Sequence, residues 1–143
     1  MPSEASDPDA TGAGRTLTTT TGPGALEAVH QLLDDLFEAE PVAADPRHRF
    51  ETVVAELAAN IVEHTPRGAD PVHLQLVVES LPDRLDATFE DDGPEVRIDL
   101  AAVTMPDPLA ERGRGLAIAK QLSETLNYRR VGAVNRWFVS CRR

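Results

Sequence analysis

Glu56, Asn60, Glu63 and His64 fall within about a quarter-turn of one another when the run from Glu56 to His64 is wound as a helix at about 100° per residue. That stripe holds two carboxylates, a carboxamide and an imidazole, groups able to move a proton or hold a cation. Beside it, Phe50, Val53, Val54, Leu57 and Ile61 recur at the i, i+3, i+4, i+7 spacing of a buried face. Glu56 and Asn60 are therefore expected at the edge of a core, partly desolvated and in need of partners. A bound ligand or metal is one way to supply them.

Two further segments carry candidate chemistry. Asp91-Asp92-Gly93-Pro94 follows an alternating stretch and reads as a turn at a strand end. Gly113-Arg114-Gly115 opens a periodic run through Leu116, Ile118, Ala119, Leu122 and Leu126, which predicts a helix over that run. Glycines there let backbone N–H groups approach a phosphate, and the helix adds its positive end. For the glycine pair alone, a plain tight turn is the preferred explanation. Residues 113–120 satisfy neither the P-loop nor the dinucleotide fingerprint.

The positioning elements follow from patterning. Residues 1–13 are rich in Pro, Ser, Ala, Asp and Gly without apolar periodicity and are expected to be a disordered lead, with one folded domain over 14–143. Arg15 to Thr21 has the threonine content of a strand, which Gly22-Pro23-Gly24 ends. Leu26, Val29, Leu32, Leu33, Leu36 and Phe37 predict a helix closed by Pro41, with Asp34-Asp35 on its solvated face. A second helix is expected from an Asp45-Pro46 cap to about His64. Residues 72–78 and 85–90 alternate as a hairpin, and the proline-bearing stretch 95–112 is expected to be a mobile loop. Strands near 127–131 and 135–142 close the chain through Gly132-Ala133. The sum is an α+β two-layer sandwich, its mixed, mostly antiparallel sheet covered on one face by helices.

Charge narrows the partners. The chain has 143 residues and a net charge of -10. Residues 1–110 carry 22 acids and 6 bases, whereas 111–143 carry 2 acids and 8 bases. A globally acidic chain argues against nonspecific nucleic-acid binding, and the basic end suits a small anion or an acidic protein. One cysteine, Cys141, allows no intrachain disulfide and reads as a small strand residue. No apolar run reaches membrane-spanning length, and a cytoplasmic location is expected. His30, His48 and His73 lack zinc-ligand spacing. Trp137 and Phe138 alternate on the last strand, so one belongs to the core.

Taken in order, Glu56-x-x-x-Asn60-x-x-Glu63-His64, Asp91-x-Gly93-Pro94, Gly113-Arg114-Gly115-Leu116 and Asn135-Arg136 resemble the ATP-binding domain of histidine kinases and gyrase, the Bergerat fold. More narrowly they resemble the bacterial anti-sigma factor serine/threonine kinases. The resemblance implies an ATP-dependent protein serine kinase that sequesters a sigma factor and phosphorylates a serine of a STAS-type antagonist. The other reading is a nucleotide-gated binding module without phosphotransfer. By the resemblance Asn60 holds Mg²⁺, Asp91 accepts from the adenine amine, Gly93 lets the base approach and Glu56 is the general base. Glu63, His64, Arg112, Gly113, Arg114, Gly115 and Leu116 complete the implied nucleotide-binding set. Glu95 stands where the wider superfamily has a glycine, bringing bulk and negative charge close to the nucleotide. A homodimer fits the family habit.

Overall fold

A computed structural model describes residues 13–65, 70–104 and 114–143. The chain runs β1 (Ala13–Thr20), α1 (Ala25–Ala39), α2 (Ala44–His64), β2 (His73–Ser80), β3 (Arg84–Asp91), a 3₁₀ turn (Leu100–Ala102), α3 (Arg114–Leu122), β4 (Thr125–Val131) and β5 (Val134–Arg142). One sheet orders these strands β1-β2-β3-β5-β4. All four pairings are antiparallel, so the expected mixed character is absent from the described strands.

Period-2 alternation decides which face of the sheet is covered. Leu74, Leu76 and Val78 of β2, Leu85, Ala87 and Phe89 of β3, and Trp137, Val139 and Cys141 of β5 point one way and are buried. Gln75, Glu79, Arg84 and Arg136 point the other way and are exposed. The helices supply the second layer. α1 buries Val29, Leu32, Leu33, Leu36 and Phe37, while α2 buries Phe50, Val53, Val54, Leu57, Ala58 and Ile61. Phe37 and Phe50 meet edge to face at 6.3 Å, which fixes the two helices against each other.

Local signals explain the element ends. Gly24 precedes α1 at φ 88°, a left-handed conformation that favours glycine, and Gly132 turns the β4–β5 hairpin at φ 60°. α2 begins one residue before the expected cap. Ala43 occupies the cap without a side-chain hydrogen bond, and Asp45 falls in the first turn. There its carboxylate still favours the helix through the dipole. Leu126, expected to continue α3, lies in β4 instead, because Ser123 and Glu124 intervene and β5 offers cross-strand partners. β1 begins at Ala13, one residue inside the expected lead, and residues 1–12 lie outside the described ones. The expected loop over 95–112 contains the 3₁₀ turn, held by Lys120 Nζ, which donates to Ala101 O at 3.2 Å and Val103 O at 3.0 Å. Its remainder, 105–112, is outside the described residues.

Candidate functional site

Alternation along β3 and β5 should end in apolar residues if packing were its sole purpose. It ends instead in Asp91 and Asn135, which sit directly opposite each other in the antiparallel register. Both are buried, at 6% and 1% exposure, at the rim of the inward face. A buried carboxylate needs donors, and two are present: Gly93 N donates to Asp91 Oδ1 at 3.0 Å and Asn135 Nδ2 donates to the same oxygen at 2.9 Å. Among the described residues nothing donates to Oδ2, which leaves a free acceptor on a residue that lines the cleft.

Asn135 is the hub of this end of the sheet. Its Nδ2 also donates to Pro94 O at 2.8 Å and Gly93 O at 3.3 Å. Its Oδ1 accepts from Tyr128 Oη at 2.5 Å and from Arg130 at 3.0 Å. Arg130 donates as well to Gly93 O at 2.7 Å, and Val96 N donates to Tyr128 Oη at 2.9 Å. The β4–β5 hairpin thereby clamps the whole segment from Gly93 to Val96. Gly93 itself cannot carry a side chain cheaply, since a Cβ would lie 3.0 Å from Asp91 Oδ1 and 3.4 Å from both Val72 methyls.

The last turn of α2 forms the opposite wall. Asn60, Ile61, His64 and Thr65 face Asp91, Gly93, Pro94, Val96, Asn135 and Trp137 across a narrow cleft partly open to solvent. The structure thus brings Asn60, His64, Asp91 and Gly93 together. Glu63 is exposed and does not line this cleft. Glu95, expected near the ligand, is likewise exposed and outside the lining.

Glu56, one turn before Asn60, is turned toward the start of α3. A Cβ on Gly115 would lie 3.5 Å from Glu56 Oε1 and 3.5 Å from Oε2, so the carboxylate lies against the space that a side chain at 115 would enter. The positive end of α3 favours an anion at this place. Arg114 keeps its Nε buried without a hydrogen-bond partner among the described residues. Leu116 is 7% exposed within the hydrophobic core, so it steadies α3 from below and its side chain packs away from the cleft lining. Arg112 and Gly113 lie outside the described residues.

Sequence reasoning gave no role to Tyr128 or Arg130, and Asn135-Arg136 entered only as a paired signature. Arg136 is on the open face, 3.8 Å from Glu90, and Asn135 alone reaches the site. Alternation could have marked Asn135, Tyr128 and Arg130 as inward-facing. The register that sets Asn135 between Asp91 and Arg130 is a nonlocal property.

An α+β sandwich with a carboxylate and a carboxamide at one cleft is compatible with a ligand-binding class of domain. The match with known families makes this specific: residues 19–137 match the histidine kinase-like ATPase domain, and the chain belongs to that family. Among solved structures it is similar to the histidine kinase domain from the Erythrobacter litoralis EL346 blue-light activated histidine kinase. The TM-score is 0.53 at 17% identity, covering 82% of this chain and 60% of that one, a likeness of fold. This chain thus spans less than two thirds of that domain's length. A comparison with curated proteins finds no match.

The residues present fit a nucleotide. Asp91 Oδ2 offers an acceptor for an exocyclic amine, on a residue that lines the cleft. For a cation the chain supplies little. Among the described residues no cluster of three or more His, Cys, Asp or Glu side chains is placed to hold a metal. One carboxamide, Asn60, suits Mg²⁺ that takes its remaining ligands from phosphates and water. No described helix is long and apolar enough to cross a membrane.

Proposed function

We propose that this domain is an ATP-dependent protein serine kinase of the anti-sigma type. The observation that carries the catalytic part is the position of Glu56: its carboxylate lies 3.5 Å from where a Cβ on Gly115 would stand, at the start of α3, and one helical turn from Asn60. A carboxylate there stands beside the place where phosphates would meet the helix start, and it has no competing partner among the described residues. Asp91 would orient the base and Gly93 would let it approach. Arg114 and the α3 start would hold the phosphates.

In that arrangement Glu56 accepts the proton of an incoming serine hydroxyl as its oxygen forms the new bond to the terminal phosphorus and the bridging P–O bond to ADP breaks. Mg²⁺ held through Asn60 would supply charge neutralisation on the phosphates. The partners, a sigma factor and a STAS-type antagonist carrying the acceptor serine, rest on the four-part signature and on the basic charge of residues 111–143.

The test is phosphoryl transfer from labelled ATP with Mg²⁺ to a candidate antagonist. The parent should transfer, and Glu56→Gln should bind ATP as the parent does while losing at least a hundredfold in rate. Undiminished transfer by Glu56→Gln would remove Glu56 from the chemistry. ATP binding without transfer to any antagonist would favour a nucleotide-gated binding module.

A further inference from the structure

Trp137 carries a hydrogen-bond donor with no acceptor among the described residues. The residue is fully buried, points inward two positions along β5 from Asn135, and lines the same cleft as Asp91 and Asn60. Its Nε1–H is buried and makes no hydrogen bond among the described residues. Buried donors are nearly always paired, so an orphan at a cleft wall marks a place where a ligand completes the protein's own bonding.

Neighbouring acceptors are already engaged. Asp91 Oδ1 receives Gly93 N and Asn135 Nδ2, and Asn135 Oδ1 receives Tyr128 and Arg130. The indole is also restrained by Tyr128, whose ring packs on it at 4.6 Å with a 48° tilt. Such packing in a core at close to crystal density limits the ring's freedom to turn toward another partner.

Two residues that line the cleft from adjacent strands therefore carry unused groups among the described residues, an acceptor at Asp91 Oδ2 and a donor at Trp137 Nε1. The matching ligand edge has a donor beside an acceptor. Adenine has this arrangement in its exocyclic amine and N1, whereas guanine shows a carbonyl oxygen and an N–H at the same positions. On guanine, acceptor would face acceptor and donor would face donor. We propose that Trp137 Nε1 donates to N1 of an adenine held against Asp91, making Trp137 a determinant of adenine over guanine. This rests on the nucleotide reading given above.

The experiment titrates Mg-ATP and Mg-1-deaza-ATP, in which a C–H replaces N1, into the parent and into Trp137→Phe, which keeps an aromatic ring against Tyr128. The parent should bind ATP about tenfold more tightly than the analogue, the usual scale of one net hydrogen bond. Trp137→Phe should lose that tenfold for ATP, leave the analogue unchanged and so cease to discriminate. Equal binding of both nucleotides by the parent overturns the assignment without any variant. Discrimination retained by a folded Trp137→Phe overturns it as well. A parent that binds neither nucleotide brings down the nucleotide reading itself, a result distinct from the other two.

Discussion

Asn135 donates from Nδ2 to Oδ1 of Asp91 over 2.9 Å, so the carboxylate at the rim of the sheet is oriented before any ligand arrives. The bond joins two strands that are far apart in sequence and leaves Oδ2 uncommitted. Preorganisation of this kind spares a ligand the ordering cost it would otherwise meet on binding.

Replacing Asn135 by alanine tests how much the clamp matters. The change takes the acceptor from Tyr128 Oη and the donor from Pro94 O, and leaves Asp91 Oδ1 with Gly93 N alone. Each unsatisfied group costs about 1–3 kcal/mol, and partial access of water reduces the sum. Asn135→Ala should unfold at a temperature several degrees below the parent by calorimetry. It should also weaken ATP binding at least tenfold. A variant as stable and as tight as the parent would show that the network is ornamental.

Tyr128→Phe isolates the loop. It removes the acceptor for Val96 N and the donor to Asn135 Oδ1 while keeping the ring against Trp137. Amide hydrogen exchange at Val96 should accelerate about tenfold or more, with core amides of Phe89 and Val139 unchanged, because the loss is confined to a local opening. Unaltered exchange at Val96 would place the restraint elsewhere.

Much of this layout can be read from local pattern. α1 and α2 declare themselves because their apolar residues repeat at helical spacing over three or more turns. The Glu56/Asn60 stripe follows from the same periodicity, and the Asp91 turn from an alternating strand that meets Gly93. Leu126 and Asp45 are harder, since a strand and a cap are chosen by competition with tertiary partners. Asn135, Tyr128 and Arg130 look like ordinary strand residues until pairing sets the row Leu74, Asp91, Asn135, Arg130 across four strands. Register depends on distant segments, and one residue of slip would turn Asn135 out to solvent.

Cys141 offers a prediction independent of any ligand. Burial pushes its thiol up to about 11 from an ordinary 9.0, only partly offset by Arg49. The S–H group lies 3.8 Å from Leu122 O. At pH 8 the folded chain should resist a thiol reagent that labels it rapidly in denaturant. Because the folded state holds the proton more tightly, this contribution to stability is complete below about pH 9 and is lost as pH rises toward 11. Over that window the parent should lose stability relative to Cys141→Ala in denaturant titrations. Equal slopes would contradict the assignment.

The central claim is that the cleft between α2 and the β3–β5 rim binds ATP through Asp91. Calorimetric titration of Mg-ATP into the parent and into Asp91→Asn tests it most directly. An asparagine at 91 must turn its NH₂ either toward Gly93 N and Asn135 Nδ2, which are donors, or toward the amine of the base, also a donor. The parent should give saturable binding. Asp91→Asn, with folding verified by its thermal transition, should lose at least a hundredfold in affinity. No binding by the parent, or equal affinity in a folded Asp91→Asn, would contradict the account.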